Sequence, residues 1–123
     1  MVQTNAQRKS LGLPVLARNA LLMRAAQIQA DQMAASDTFE HQLPGAAYPN
    51  LESRISAVHY VHSTAAENIA EGYSSAAAVV AGWMTSPGHR ANIVSTAFTE
   101  MGAGAATSKN GHRYHVQVFA RPR

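Results

Sequence analysis

The hydrophobic positions along the chain change their spacing once, from the repeat of a helix to the alternation of a strand. Between Leu16 and Ala35 there is no glycine or proline, and one set of positions recurs at the spacing of a helix face. These positions are Leu22, Ala26, Gln29 and Met33, flanked by Leu21, Ala25 and Ile28. We therefore predict a long first helix over this segment.

Two shorter helices are predicted after it. Glycine, proline and asparagine mark residues 45–50 as a loop, and residues 51–58 follow as a short second helix. The serine pair 74–75 can cap a third helix. Its core-facing stripe consists of Ala76, Val79, Val80, Trp83 and Met84. Pro87-Gly88 ends that helix, and residues 90–94 are predicted to add one more turn.

The last third of the chain has the pattern of a β-hairpin. Residues 98–106 and 113–120 flank the sequence TSKNG, in which Asn110-Gly111 favours a tight turn. The final strand carries Tyr114, Val116, Val118 and Ala120 on one face and His115, Gln117 and Phe119 on the other. A strand with apolar groups on both faces is covered on both. Helices followed by a hairpin predict an α+β fold, a three-layer α-β-α sandwich with a mainly antiparallel sheet.

The composition of the chain limits the classes of function that it can have. The 123 residues are 46% hydrophobic and 14% charged, which predicts one folded domain over residues 1–123. The net charge is +3, but the ten lysines and arginines are scattered from Arg8 to Arg123, so no nucleic-acid partner is expected. The chain has no cysteine, which excludes disulfides, thiolate metal sites and cysteine nucleophiles.

The chain also gives a limited indication of its location. No apolar run reaches the roughly 18 residues of a membrane span, so no transmembrane segment is expected. The first ten residues, MVQTNAQRKS, lack the hydrophobic core of a signal peptide. These observations predict either a cytoplasmic protein or a mature domain whose leader is absent from this chain.

Two polar residues of the first two-thirds of the chain are candidates for chemistry. His41, in the sequence FEHQ, is either a ligand or acid–base group, or a solvated histidine stabilised by the helix dipole. Glu67, in the sequence AAENIAEG, lies among apolar residues, where an ionised carboxylate needs a partner. Its alternative role is that of a structural acceptor for loop amides. Glu71, placed one helical turn later, is expected to be exposed.

A third candidate follows the Pro-Gly break. The sequence SPGHRANI places His89 directly after Pro87-Gly88 and close to Trp83 and Met84. At the edge of the core, a ring can be held in place and still reach a cleft. The alternative role of His89 is to cover the end of the broken helix.

These fragments together resemble a known family. The sequences NAQRKSLGLPVL, FEH, AENIAEG and GWMTSPGHRANI resemble, in this order, the opening, the first histidine, the Glu-Asn motif and the bacterial signature of the CAP superfamily. The sequences FTEMGAGAA and YHVQVFARP resemble its closing strands. Over nearly its whole length, the chain is similar to a bacterial member of this superfamily of cysteine-rich secretory, antigen 5 and pathogenesis-related 1 proteins, whose module is also called the SCP domain.

The resemblance implies an α-β-α sandwich with a central cleft. In the family this cleft is lined by two histidines and two glutamates, and in several members the histidines hold a divalent metal such as zinc. Matched by motif, the cleft residues are His41, Glu67 and His89, and the metal ligands are the two histidines. Ser86, three residues after Trp83, stands where many eukaryotic members have the second glutamate.

The chemistry of these residues leaves alternatives open. Two neutral imidazoles and one carboxylate match a three-ligand zinc set, whereas His41 and His89 alone form a weak, exchangeable site. In the second case Glu67 is a candidate general base for metal-assisted hydrolysis. A serine-hydrolase set of Ser86, His89 and Glu67 is disfavoured, because the chain has no G-x-S-x-G sequence and Pro87 constrains the serine.

The function expected from the resemblance is that of a monomeric, secreted or envelope-associated module that binds a lipid, glycan or protein ligand. The alternative is a peptidase-like, metal-dependent hydrolase that uses His41, Glu67 and His89, with Glu67 catalytic. We expect His89 to face His41 across a cleft with Glu67 in its floor. The other histidines are expected to be dispensable for metal binding: His59, His62, His112 and His115.

Overall fold

A computed structural model describes all 123 residues as a four-stranded sheet between two layers of helices. In chain order the elements are α1 (Val2–Ser10), β1 (Ala17–Arg18), α2 (Ala20–Ser36), α3 (Leu51–Ala57), β2 (His62–Glu71), α4 (Ala76–Met84), α5 (Pro87–Val94), β3 (Glu100–Thr107) and β4 (Arg113–Pro122). The strand order is β1-β3-β4-β2, with β1 parallel to β3 and the other pairs antiparallel. The predicted α-β-α sandwich is confirmed. None of the helices has the length and apolar character that crossing a membrane requires.

The sheet has a hydrophobic core on each face, because β4 carries apolar side chains on both. Val116 and Val118 pack towards α2 and α3, whereas Phe119 packs towards α4 and α5. β4 lies between β3 and β2, and its residues from Tyr114 to Ala120 are all buried. The prediction of a strand covered on both faces is therefore confirmed.

Small residues in β3 bring α2 unusually close to the sheet. A Cβ atom at Gly102 would lie 2.2 Å from the carbonyl carbon of Leu22, and one at Gly104 would lie 2.7 Å from the Cα of Gln27. No side chain fits at these distances. Gln27 completes the contact, since its amide donates to the carbonyl of Ala105 at 2.8 Å and accepts from the same residue's N–H at 3.3 Å.

The predicted helices form, with shifted starts. α2 begins at Ala20 instead of Leu16, because the side chain of Asn19 accepts hydrogen bonds from two backbone N–H groups of the first turn. Residues Ala17–Arg18 pair with β3 instead. α3 occupies the segment predicted for the short second helix, and Ser75 caps α4 as predicted.

The structure corrects the prediction for the Pro-Gly break. α4 ends at Met84, and a separate helix, α5, begins at Pro87. Proline suits this first position because it has no N–H group to leave unpaired there. His89 therefore lies in the first turn of α5, whereas the sequence predicted helix only from Arg90.

Three elements were not predicted: α1, β2 and the two-residue strand β1. α1 has little apolar character, and its buried face includes a charged residue, Arg8. The Arg8 guanidinium donates to the carbonyls of Pro14, Ile93 and Ser95 at 2.7–2.9 Å, so hydrogen bonds, and not an apolar stripe, hold this helix in place. Burial lowers the pKa of Arg8.

The second is β2, in which Glu67 and Glu71 are predicted to lie one helical turn apart. The segment is an edge strand, so its consecutive side chains point to opposite faces of the sheet. The alanine-rich sequence has no clear alternation of apolar and polar residues, and this is why its period could not be recognised. Glu71 is nevertheless exposed, as expected.

Trp83 lies beneath the sheet, as its place in the α4 stripe predicted. It is only 4% exposed and belongs to the core that also contains Val79, Val80 and Phe119. Its indole Nε1 donates to the carbonyl of Ile69 on β2 at 3.0 Å. Trp83 thus anchors α4 to the edge strand.

Replacing Trp83 with alanine is expected to lower the free energy of unfolding by about 3–5 kcal/mol, because it leaves a cavity and removes the donor to Ile69. Trp83→Phe should lose less. Val61→Ala, at an exposed position, should change stability by no more than about 0.5 kcal/mol. Urea denaturation provides the measurement, and a loss below about 1 kcal/mol for Trp83→Ala would contradict this packing.

Candidate functional site

The carboxylate of Glu67 is buried and already engaged by two neighbours. Its Oε2 accepts a hydrogen bond from Arg54 Nη2 at 2.8 Å, and its Oε1 lies 3.1 Å from the same nitrogen. Oε1 also lies 3.0 Å from Nδ1 of His41. Both oxygens are therefore occupied. The partner that the apolar surroundings of Glu67 require is Arg54.

Arg54 is the residue of this site that the sequence did not reveal. It lies on α3, which begins with a reciprocal capping box between Asn50 and Ser53, and its side chain is completely buried. It also donates to the carbonyls of His41 at 3.4 Å and Tyr48 at 3.3 Å. A buried carboxylate needs a cation nearby to stabilise its charge. The sequence contains ten lysines and arginines, and nothing in it shows which of them has this role.

His41 lies in the loop between α2 and α3. α2 ends at Ser36, and Asp37 adopts a left-handed conformation with φ of 51°, so His41 is not at the helix end and the helix-dipole interpretation is wrong. The Gln29 side chain donates to the carbonyls of Glu40 at 2.8 Å and His41 at 3.2 Å. The imidazole is 55% exposed, and its Nε2 has no hydrogen-bond partner in the protein.

Two contacts hold His89 in the first turn of α5, one to its ring and one to its backbone. Its Nδ1 lies 2.9 Å from the Ser86 hydroxyl, and its backbone carbonyl accepts from the Asn68 side chain at 3.1 Å. Asn92 donates to Asn68 in turn at 2.8 Å. The ring is half-buried, with its centre 6.5 Å from that of Trp83. As with His41, Nε2 has no partner in the protein.

The adjacent residues Glu67 and Asn68 link the two histidines to one strand. Because neighbouring side chains on a strand point to opposite faces, Glu67 contacts α3 and His41, while Asn68 contacts α5 and the backbone of His89. One dipeptide of β2 therefore positions both histidines. A helical interpretation of this segment could not have shown this.

The two imidazoles influence one another electrostatically. Burial lowers the pKa of His89, and the charge of His41 lowers it further. Two protonated imidazoles repel one another, which gives the direction of this second effect.

A small cleft opens beside His89. It encloses about 270 Å³, and its wall includes Phe39, Tyr73, Trp83 and Ser86. Phe39 and Tyr73 are partly exposed, so the cleft is open to solvent at its rim. His89 is therefore not sealed against Trp83. The wall of this hollow, the His89 cleft, includes neither His41 nor Glu67, so a cleft shared by His41, Glu67 and His89 stays a prediction.

The structure does not assemble the three-ligand form of the predicted metal site. No three histidine, aspartate or glutamate side chains lie close enough together to hold an ion, and the oxygens of Glu67 are occupied. Metal-binding histidines usually have their second ring nitrogen hydrogen-bonded to another group. His41 and His89 have this arrangement, with Nδ1 engaged and Nε2 free. Binding of an ion by this pair stays a prediction.

The serine-hydrolase set is not assembled. Ser86 and His89 are in contact, but Glu67 contacts His41 and no carboxylate contacts the His89 ring. The other four histidines have separate contacts or positions. These are Glu52 for His62, Asp37 for His112, the Tyr73 carbonyl for His115 and a left-handed turn for His59.

Comparison with known sequences identifies related proteins. The sequence model of the cysteine-rich secretory protein (CAP) family matches residues 3–119. The chain is 36% identical over 105 residues to YkwD of Bacillus subtilis, an uncharacterized protein, covering 85% of this chain and 40% of YkwD. It is 29% identical over 118 residues to YlbC of the same organism, an uncharacterized membrane protein, covering 96% of this chain and 32% of YlbC. The chain thus spans less than half of either relative.

Solved structures share the fold. An extracellular protein of Bacillus anthracis that contains an SCP domain superimposes with a TM-score of 0.85 at 30% identity, over 96% of this chain and 37% of that one. An outer surface protein of Borrelia burgdorferi superimposes with a TM-score of 0.88 over 99% of this chain and 89% of that one. At 22% identity, the second likeness concerns the fold alone.

Replacing Arg54 with methionine should lower the free energy of unfolding by about 3–5 kcal/mol, because it leaves the Glu67 carboxylate buried without its cation. Adding Glu67→Leu removes that unpaired charge, and the double variant should recover most of the loss. Urea denaturation of both variants checks this. A double variant no more stable than Arg54→Met would show that the ion pair is not the cause.

The pKa of His89, measured by NMR titration, should lie below the ordinary value. Replacing His41 with alanine should raise it only part of the way, because burial is the larger cause. The unfolded chain binds this proton more readily, so His89 should destabilise the fold as pH falls from about 6.5 to the lower folded value. His62→Ala is the control, and a His89 pKa that is unchanged in His41→Ala would contradict the coupling.

Proposed function

The chain belongs to the cysteine-rich secretory protein (CAP) family, and we propose that it is a secreted or envelope-associated module that binds a ligand or partner at the His89 cleft. The extracellular SCP-domain protein of Bacillus anthracis, which is 30% identical, supports this location. The chain spans 37% of that protein. We therefore propose an activity for the module alone.

The observation that carries the proposal is the engagement of Glu67. A general base must have a free oxygen within reach of the proton that it removes. Both oxygens of Glu67 are held by Arg54, and one also contacts His41. A carboxylate in this position serves to orient His41. This favours binding over hydrolysis.

We further propose that His41 and His89 hold a divalent ion such as zinc through their free Nε2 atoms. Only two protein ligands would contribute, so the ion would bind weakly and exchange readily. Its remaining coordination positions would be open to a carboxylate, phosphate or hydroxyl oxygen of a ligand. The ion would in this way add to ligand recognition at the cleft.

The alternative is a peptidase-like, metal-dependent hydrolase that uses His41, Glu67 and His89. The free Nε2 atoms of the two histidines favour it, because a two-histidine centre leaves positions open to water. It requires, however, that Glu67 leave Arg54 during the reaction. Breaking a buried ion pair costs about 3–5 kcal/mol, which is a substantial addition to any barrier.

A screen of the purified chain against lipids, glycans and peptides distinguishes the two functions. We expect at least one ligand to bind without being turned over, and to bind still to folded Glu67→Gln and after chelation, although more weakly. Turnover that is abolished by both treatments would establish the hydrolase instead. Circular dichroism of Glu67→Gln is the control for folding.

Zinc calorimetry on the same preparations tests the ion. His41→Ala and His89→Ala should each weaken zinc binding by about tenfold or more, and acidification should release the ion because only neutral imidazole is a ligand. Alanine at His59, His62, His112 or His115 should have no effect. A requirement for His59 or His62 would mean that the ion binds elsewhere.

A further inference from the structure

Tyr73 places its hydroxyl in the His89 cleft without a hydrogen-bond partner in the protein. The ring lies against Gly82 of α4, because a Cβ atom at Gly82 would be only 2.8 Å from Cζ of the tyrosine. Both residues belong to the wall of the cleft. The backbone of Tyr73 is fixed, since its carbonyl lies 3.1 Å from Nε2 of His115. The hydroxyl, on a residue that is 36% exposed, is free to contact a ligand.

Ser86 and His89 supply a further donor in the same wall. Nδ1 of His89 and the Ser86 hydroxyl lie 2.9 Å apart, and either can donate to the other. If the serine donates, Nε2 of the neutral imidazole carries the proton and can donate to a ligand. If Nδ1 donates, Nε2 is free to bind an ion, and the serine hydrogen is free for a ligand. A second donor therefore accompanies the Tyr73 hydroxyl in both cases.

Three backbone carbonyls of this wall are already occupied. The Trp83 indole donates to the carbonyl of Ile69 at 3.0 Å, and the Thr85 hydroxyl donates to that of Gly82 at 2.8 Å. The carbonyl of Trp83 accepts from the backbone N–H of Ser86 at 3.1 Å. At this wall the side chains therefore offer free donors, whereas these acceptors are satisfied within the protein.

The carboxylate of Glu71 does not change this balance. Glu71 is the only acidic residue of the wall, but its side chain lies on the face of β2 that carries Glu67, because strand residues at even spacing share a face. Asn68, on the opposite face, is the residue that contacts the backbone of His89. The wall contains no lysine or arginine. An anionic group in the cleft would therefore be held by hydrogen bonds, and by the ion where one is bound.

The volume of the cleft limits what can enter it. About 270 Å³ lies below the roughly 300–1,000 Å³ of pockets that enclose a drug-sized ligand. The end of a larger molecule fits such a space, whereas a whole sterol or oligosaccharide does not. A carboxylate is a small terminal group that offers two oxygen acceptors to neighbouring donors.

We propose that the His89 cleft holds a terminal carboxylate of the ligand, and that the Tyr73 hydroxyl selects this group. One oxygen would accept from Tyr73 and the other from Nε2 of His89 or from the Ser86 hydroxyl. Hydrogen bonds to an ionised acceptor are roughly twice as strong as those to a neutral one. An ion held at His89 would attract the same group. This inference rests on the proposed function, since it identifies the ligand group for the same cleft.

The experiment compares two probes of nearly the same shape, N-acetyl-alanine, which ends in a carboxylate, and N-acetyl-alaninamide, which does not. Each is titrated into the chain and followed by NMR at about pH 7, in buffer freed of divalent metal by a chelating resin, so that the hydrogen bonds are tested without the ion. N-acetyl-alanine should bind on the order of tenfold more tightly and should shift the resonances of Tyr73, Ser86 and His89.

A third probe identifies the source of the carboxylate. Propionate carries the carboxylate without the acetamido group of a peptide end. Weaker binding of propionate than of N-acetyl-alanine would assign the cleft to a peptide C-terminus, and equal binding would assign it to carboxylic acids in general. Both results support a carboxylate subsite.

Variants assign the preference to Tyr73. Tyr73→Phe removes only the hydroxyl, which has no partner in the protein, so the variant should fold. It should lose most of the preference for N-acetyl-alanine over the amide. Tyr48→Phe is the matched control, because Tyr48 is 40% exposed and does not belong to the wall of the cleft. This change should leave the binding of both probes as it is.

Three results would overturn the proposal: equal affinity for the carboxylate and the amide, no detectable binding of either, or an undiminished preference in Tyr73→Phe. An equal loss in Tyr48→Phe and Tyr73→Phe would also contradict the role of Tyr73. The proposed binding function is tested separately by the screen against lipids, glycans and peptides, since that screen assumes no carboxylate. A ligand from the screen that binds the cleft without a carboxylate would leave the function standing and this inference overturned.

Discussion

The buried ion pair between Arg54 and Glu67 is the contact on which the geometry of the site depends. Each charge alone would be costly inside the protein, and each removes the cost of the other only while the two stay together. Arg54 also donates to the backbone of the loop that carries His41. A single guanidinium thus joins α3, the edge strand and that loop. We expect that breaking the pair would also weaken the hold on the first histidine, whose loop would then be fixed mainly by Gln29.

The edge strand β2 extends this constraint to the second histidine. Glu67 and Asn68 point to opposite faces, and the two faces carry different helices. The histidines therefore come from separate layers of the sandwich, and each is tied to the same edge strand. A site built in this way depends on the packing of both layers, and Trp83 secures the second of them through its bond to β2.

Local patterns in the sequence predicted the elements that have a clear period. The buried residues Val79, Val80 and Trp83 of α4 and the alternation of β4 were predicted correctly, because residues that pack against the sheet recur at the period of their element. Ala76, predicted for the same stripe, is exposed. α1 and β2 were missed, because Arg8 is buried by hydrogen bonds and the alanines of β2 suit either face. His41, Glu67 and His89 were selected as candidate site residues from motifs. Arg54 could not be found, because its role depends on a contact between elements that are distant along the chain.

We propose from these features that the Glu67 carboxylate orients His41 and does not act on a substrate. The most direct test is the tautomer of His41, read by NMR from its two ring nitrogens at about pH 8, where an ordinary histidine is neutral. If Glu67 orients His41, the proton lies on Nδ1 and is donated to Glu67, and Nε2 is unprotonated and free to bind an ion. A proton predominantly on Nε2 would contradict it, because Nδ1 could not then donate to Glu67.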